Sequence, residues 1–152
     1  HKYAAGLQLM REDLEQFSRS FEEAVCDMLA PEDLVPEIHV DLEVSLEQAD
    51  YSLLESMQRF QPFGPGNPKS VLVANGLSVI GYPKIVGNNH LKMRVRKDDC
   101  QMESIGFGLG DKLKEINTAR DKVSMAFVLE ENEWNNMCSL QARIKDIKVS
   151  ED

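Results

Sequence analysis

Hydrophobic residues recur at helical spacing over residues 11–30, where Leu14, Phe17, Phe21, Ala24, Val25, Met28 and Leu29 share one face and charges fill the other. A short strand is expected ahead of this helix at 3–9, and the Ala30-Pro31 step ends the helix. From 37 to 44 the period changes to two. Ile38, Val40, Leu42 and Val44 alternate with Glu37, His39, Asp41 and Glu43, the pattern of a half-buried strand. Ser45 followed by Gln48 has the spacing of a capping box, so a second helix is expected over 46–60, with Leu46, Ala49, Leu53, Leu54, Met57 and Phe60 on its inner stripe.

Pro62-Phe63-Gly64-Pro65-Gly66-Asn67-Pro68 then breaks all periodicity, because such a run neither continues a helix nor enters a sheet. Beyond it, strands are expected at about 71–86, 89–97 and 101–107, a short helix near 109–117, and strands near 122–131 and 138–149. Five strands with one helix between the third and fourth is the order of an OB-fold, a small Greek-key barrel. The expected fold class is therefore α+β: a five-stranded OB-fold barrel preceded by a strand-helix-strand-helix segment.

Charge sharpens this division. The net charge of −9 is the sum of unlike parts. Residues 1–61 hold 4 Lys/Arg against 14 Asp/Glu, whereas residues 62–149 hold 13 against 10. An acidic section is joined to a mildly basic one, and the basic one is the expected barrel. No apolar run has the length of a bilayer span, and the first residues lack the pattern of a signal peptide. Cys26, Cys100 and Cys138 are far apart and odd in number, which fits neither a disulfide framework nor a zinc site and suits a reducing, cytoplasmic setting. The chain starts without Met, with its first elements already under way, as expected of a piece of a longer protein.

The second expected barrel strand carries the most telling chemistry. In His90-Leu91-Lys92-Met93-Arg94-Val95-Arg96-Lys97, alternation sends Leu91, Met93 and Val95 inward and lines His90, Lys92, Arg94 and Arg96 along the outside. Phosphates of a nucleic-acid backbone would match such a row, and the outer face of strands two and three is where OB-folds hold oligonucleotides. The plain alternative is a solvated basic face. Single-strand binders also need aromatic surfaces for stacking, for which Phe63, Tyr82 and Trp134 are the candidates. Trp134 is expected in a polar turn, Glu130 to Asn136, either as a ligand contact or as a cover for the barrel end. Arg143 and Lys145 on the final strand extend the basic surface.

Other segments lose their first appeal on inspection. Gly106-Phe107-Gly108-Leu109-Gly110 lacks the spacing and the strand-helix-strand setting of a nucleotide loop and reads as a tight strand-to-helix turn. Asp98-Asp99 reads as a hairpin turn. His1, His39 and His90 are too scattered for a metal site, and no nucleophile-base arrangement emerges, so no catalytic or metal-ligating residue is assigned.

Several segments together resemble the RecJ family of single-stranded-DNA exonucleases. The run from Pro62 to Pro68 after Arg59-Phe60-Gln61 is similar to its "PFGxGNP" linker, and Val86 to Lys92 resembles its "VGKxHLK", with Asn88 in place of Lys. Ile105 to Gly108, Leu129 to Asn135 and Ser139 to Ile147 resemble further family segments in the same order, and His1 to Gly6 is similar to the end of a Gly-Gly-His motif in the DHH-associated domain.

The resemblance implies a parent enzyme that degrades single-stranded DNA from the 5′ end in repair and recombination, with a divalent metal pair, Mn or Mg, held in an upstream DHH domain of the same chain. On that reading 1–35 ends the DHH-associated domain, 36–68 connects, and 69–152 is the OB-fold. The chain itself holds no cofactor and is expected to be inactive alone. The expected DNA contacts are His1, Lys84, Asn89, His90, Lys92, Arg94, Arg96, Arg143 and Lys145. A protein-interaction or structural role for the barrel is the rival, because fold does not choose function.

Overall fold

The structure is a computed structural model that describes residues 4–118 and 123–149. It consists of two compact units, His1–Glu37 and Ile38–Asp152.

In the first unit a 3₁₀ turn at Arg11–Asp13 leads into α1, Leu14–Met28, and a second 3₁₀ turn follows at Pro31–Leu34. Phe17 and Phe21, one turn apart on α1, stack at 5.6 Å between ring centroids. The apolar stripe is real but largely uncovered: Leu14, Phe21 and Met28 are exposed. Residues 4–10, where a strand is expected, form no regular structure. A strand needs a neighbour for its backbone groups, and the described residues of this unit contain none.

The second unit opens with β1, Leu42–Glu43, which pairs in parallel with the start of β2, Leu72–Val86. The expected strand at 37–44 shrinks to these two residues because its partner begins only at Leu72. The join is reinforced where the Val71 N–H donates to Asp41 Oδ2 (2.8 Å) and the Val44 N–H to the Val73 carbonyl (2.9 Å). The Ser45–Gln48 capping box forms, with Ser45 N–H donating to Gln48 Oε1 (2.9 Å) and Gln48 N–H to Ser45 Oγ (3.3 Å). It closes only a turn. The helix, α2 at Tyr51–Gln58, starts later because Asp50 supplies a second cap, accepting from the Leu53 N–H at 2.8 Å. The expected 46–60 helix is therefore shorter at both ends. The Pro/Gly run folds back on itself through paired bonds between Gly64 and Asn67, while Asn67 Nδ2 donates to the Phe60 and Pro62 carbonyls.

The remaining strands are β3 (His90–Lys97), β4 (Cys100–Gly106), β5 (Val123–Trp134) and β6 (Met137–Val149), with α3 (Lys112–Thr118) between β4 and β5. Their order is β1-β2-β3-β4-β6-β5, and β2 also pairs with β5, which closes a five-stranded barrel with β1 as an extra strand. β2 serves both neighbours in turn: residues 72–77 pair with β5 and 78–86 with β3. Irregularities at Ala74/Leu77 and Ile80/Lys84 let it bend, and Gly76 and Gly81 there take φ of 68° and 72°, a region costly for other residues.

One apolar cluster fills the barrel, including Leu72, Leu77, Leu91, Val95, Val123, Met125, Phe127 and Ile147. Val44, Leu46, Ala49 and Leu54 belong to the same cluster. Burying a Leu or Phe is worth about 1.5–3 kcal/mol, so this core is what fixes which face of each strand looks outward.

Candidate nucleic-acid interface

Parity along β3 places Leu91, Met93 and Val95 in the core, leaves His90 and Lys92 half-buried, and exposes Arg94, Arg96 and Lys97. The neighbours across the sheet then decide what each cation can do. Lys92 lies directly opposite Lys84 on β2 and Ile105 on β4. Two like charges face each other on one outer surface, an arrangement that is destabilising by itself. Among the described residues neither lysine has an ion-pair partner.

Arg94 is different. It lies opposite Glu103 on β4 and makes both an ion pair and an Nε hydrogen bond to Glu103 Oε1. Lys97 is committed to the Asn75 carbonyl at 2.8 Å. The row is thus uneven: Lys84, Lys92 and Arg96 offer positive charge, while Arg94 is largely neutralised within the sheet. The acidic residues of the 46–60 segment, a potential source of counter-charge, make no ion pair with the row among the described residues.

Tyr82 rises beside the lysine pair. β2 carries extra residues between Ile80 and Lys84 relative to β3, and this bulge leaves Tyr82 96% exposed. Tyr82, Lys84, Lys92 and Arg94 line a groove of about 700 Å³ whose other wall is Asn132, Met137, Cys138 and Ser139 of the β5–β6 hairpin. The hairpin is longer than the sequence indicates. Both strands continue to a two-residue turn, because Asn135 and Asn136 take φ of 52° and 59°, the conformation of a tight primed turn. Glu130 to Glu133 are consequently strand residues, not a polar loop.

The other candidates are scattered. Phe63 is half-buried in a separate cavity beside Leu54, Met57 and Val128, so it does not join Tyr82. The side chain of Trp134 and all of His1 lie outside the described residues. Asn89 and His90 are tied to the turn after β4. The Gly110 N–H donates to the Asn89 carbonyl (3.1 Å), Asn89 Nδ2 reaches the Gly108 carbonyl (3.5 Å), and the Gly108 N–H donates to His90 Nδ1 (3.2 Å). Arg143 shares an ion pair with Glu130 at 4.0 Å, and Lys145 is exposed.

Phe107 escaped the sequence reading. The 106–110 segment is indeed a strand-to-helix turn, but its Phe is 54% exposed, meets the His90 ring edge-on at 4.9 Å, and lies 5.9 Å from the Arg143 guanidinium carbon. The available signal was a lone aromatic between two glycines, where flanking side chains offer no cover. Among the described residues no group of three or more His, Cys, Asp or Glu side chains is placed to hold a metal, the three cysteines are free thiols, and no helix is long and apolar enough to cross a membrane.

A closed five-stranded Greek-key barrel, with an outer groove between its second strand and its last hairpin, defines an OB-fold domain. The family described as the RecJ OB domain matches residues 40–146, and the chain belongs to that family.

Among curated proteins it is 34% identical to the single-stranded-DNA-specific exonuclease RecJ of Bacillus subtilis (strain 168), over 99% of this chain and 19% of that protein. The corresponding protein of Salmonella typhimurium is 29% identical over 97% of this chain and 25% of its own length. The chain thus spans about a fifth to a quarter of the relatives it matches. The crystal structure of RecJ with Mn²⁺ from Thermus thermophilus superposes with a TM-score of 0.69, covering 97% of this chain and 21% of that one. At 19% identity this likeness is one of fold.

Proposed function

We propose that this chain is the single-stranded-DNA-holding region of a larger 5′→3′ exonuclease acting in DNA repair and recombination, and that the barrel grips the strand on the outer face of β2 and β3. The observation that carries the reading is the Lys84–Lys92 pair, two like charges directly opposite one another, without ion-pair partners among the described residues, in a groove that also exposes Tyr82. An anion bridging both lysines would relieve their repulsion, and a base could lie on the tyrosine ring.

In this reading residues 1–35 end the DHH-associated domain, 36–68 connect it to the barrel, and 69–152 form the OB-fold. The exposed apolar residues of α1 would be covered by the upstream DHH catalytic domain of the same chain, which would also hold the Mn or Mg ions and carry out the hydrolysis. The enzyme would act in the cytoplasm, and the 152-residue chain alone would release no nucleotides with either metal.

Fluorescence titration of the chain with labelled single-stranded and duplex oligonucleotides over a range of salt concentrations tests the proposal. Preferential single-strand binding that weakens steeply with salt is expected. Equal affinity for duplex would leave only a general electrostatic patch, and no saturable binding would refute the proposal.

A further inference from the structure

Phe107 stands just beyond the end of β4 with 54% of its surface open, yet its ring has two side-chain neighbours. The His90 ring meets it edge-on at 4.9 Å and 66°, and His90 is itself fixed by the Gly108 N–H donating to Nδ1 at 3.2 Å. The Arg143 guanidinium carbon lies 5.9 Å from the ring centroid, and Arg143 makes only a long ion pair, 4.0 Å, to Glu130 among the described residues. Neither neighbour of Phe107 in the chain has a side chain that could shield it. Gly106 lacks room for one, since a Cβ there would come within 2.8 Å of Leu109 Cδ1. A flat aromatic surface that is buttressed on one edge, flanked by a cation and still half open is arranged for stacking.

The register places this ring beside a second line of cations. Lys84 pairs with Lys92, Lys92 with Ile105, and Ile105 with Arg143, so these residues share one outer row that runs across β2, β3, β4 and β6. Three strand spacings make that row about 14 Å long. Phe107 lies two residues beyond Ile105 on the same strand path. The lengthwise row on β3, by contrast, is interrupted at Arg94 by Glu103.

We infer that Phe107 is a stacking platform for a nucleobase, and that the bound single strand crosses the barrel strands along the Lys84–Lys92–Arg143 line instead of following β3. This rests on the nucleic-acid reading of the barrel and assigns the path and a base contact within it. Lys84 and Lys92 hold phosphates at one end, and Arg143 holds the phosphate next to the base on Phe107.

The test compares Phe107→Leu and Arg143→Ala with the unaltered 152-residue chain on two labelled probes, an oligothymidylate and an abasic strand of equal length. Phe107→Leu is expected to weaken oligothymidylate binding roughly tenfold. It should leave both the salt slope and the affinity for the abasic strand unchanged, because a ring contributes to base stacking and not to phosphate binding. Arg143→Ala should weaken both probes and lower the salt slope by about 0.7.

Oligothymidylate binding unaffected by Phe107→Leu would overturn the inference. So would an equal loss on both probes, which would mean that the ring only props Arg143. Phe107→Trp is the second variant, should the leucine protein fail to fold. It should bind oligothymidylate at least as tightly as the unaltered chain with the abasic strand unchanged, and weaker oligothymidylate binding by a folded Trp variant would count against stacking. Failure of the unaltered chain to bind oligothymidylate at all would instead remove the nucleic-acid reading, and this inference with it.

Discussion

Arg94 and Glu103 face each other across β3 and β4 and are joined by an ion pair on the outer surface of the barrel. Among the described residues Glu103 is the only acidic one lining the groove that holds Tyr82, Lys84 and Lys92, so it lowers the positive potential that the cations there offer an anionic strand. Glu103→Gln should release Arg94 and strengthen oligonucleotide binding, with the salt slope rising by up to about 0.7. Both side chains are substantially exposed, and the pair should contribute only about 0–1 kcal/mol to stability. Salt-dependent titration and urea denaturation of the variant check the two halves of this expectation. Unchanged or weaker binding by Glu103→Gln would show that Arg94 takes no part even when released.

Lys84 and Lys92 give the opposite expectation. Removing one of two like charges that lie directly opposite each other should leave stability unchanged or raise it by about 0.2–1 kcal/mol. The same Lys92→Ala change should weaken single-strand binding and lower the salt slope by about 0.7. A variant that gains stability while losing affinity marks a residue retained for binding. Lower stability with unchanged affinity would mark Lys92 as structural.

Ser104 points into the barrel from β4, between Met93 and Ala142 on the neighbouring strands, and is fully buried. Its hydroxyl has no hydrogen-bond partner among the described residues. A buried polar group without a partner costs about 1–3 kcal/mol. Ser104→Ala removes that group with little change in shape and should raise stability by about 1 kcal/mol, seen as a higher urea midpoint with an unchanged m-value. A lower midpoint would mean that the hydroxyl is satisfied in solution.

Gly110 lies against Asn89. A Cβ at Gly110 would collide with the Asn89 side-chain oxygen and come within 3.3 Å of the Asn89 backbone carbon. Gly110→Ala should therefore displace the turn that also receives His90, destabilising the barrel by about 1–3 kcal/mol. The chemical shifts of His90 and Phe107 should move in an NMR spectrum of the variant. Both staying in place would show that the Asn89 side chain yields without disturbing the turn.

Much of the barrel was legible because local patterns and the core agree. Alternation in 90–97 separates Leu91, Met93 and Val95 from the charged positions, since a one-residue slip would bury three cations. The Arg94–Glu103 pairing was legible in principle as well. Asp98 and Asp99 make a two-residue turn, and counting outward from it brings these two residues face to face. The elements before the barrel were less legible. Asp50 competes with Ser45 for the start of α2, and the expected strands at 3–9 and 37–44 depend on partners that the local pattern does not supply.

Local chain chemistry was enough to give the succession of barrel strands along the chain, the face of β3 that looks outward and its basic character, because side-chain parity and turn chemistry act over a few residues. Which charges remain available, and which aromatics lie near them, depends instead on contacts between distant strands. Lys84 meets Lys92 just past a bulge, Arg143 approaches Phe107 through the parallel pairing of β4 with β6, and Phe63 lies in a separate cavity from Tyr82. These relationships join residues far apart in the chain. They are fixed by barrel closure around a shared core, a cooperative packing event that no local period encodes.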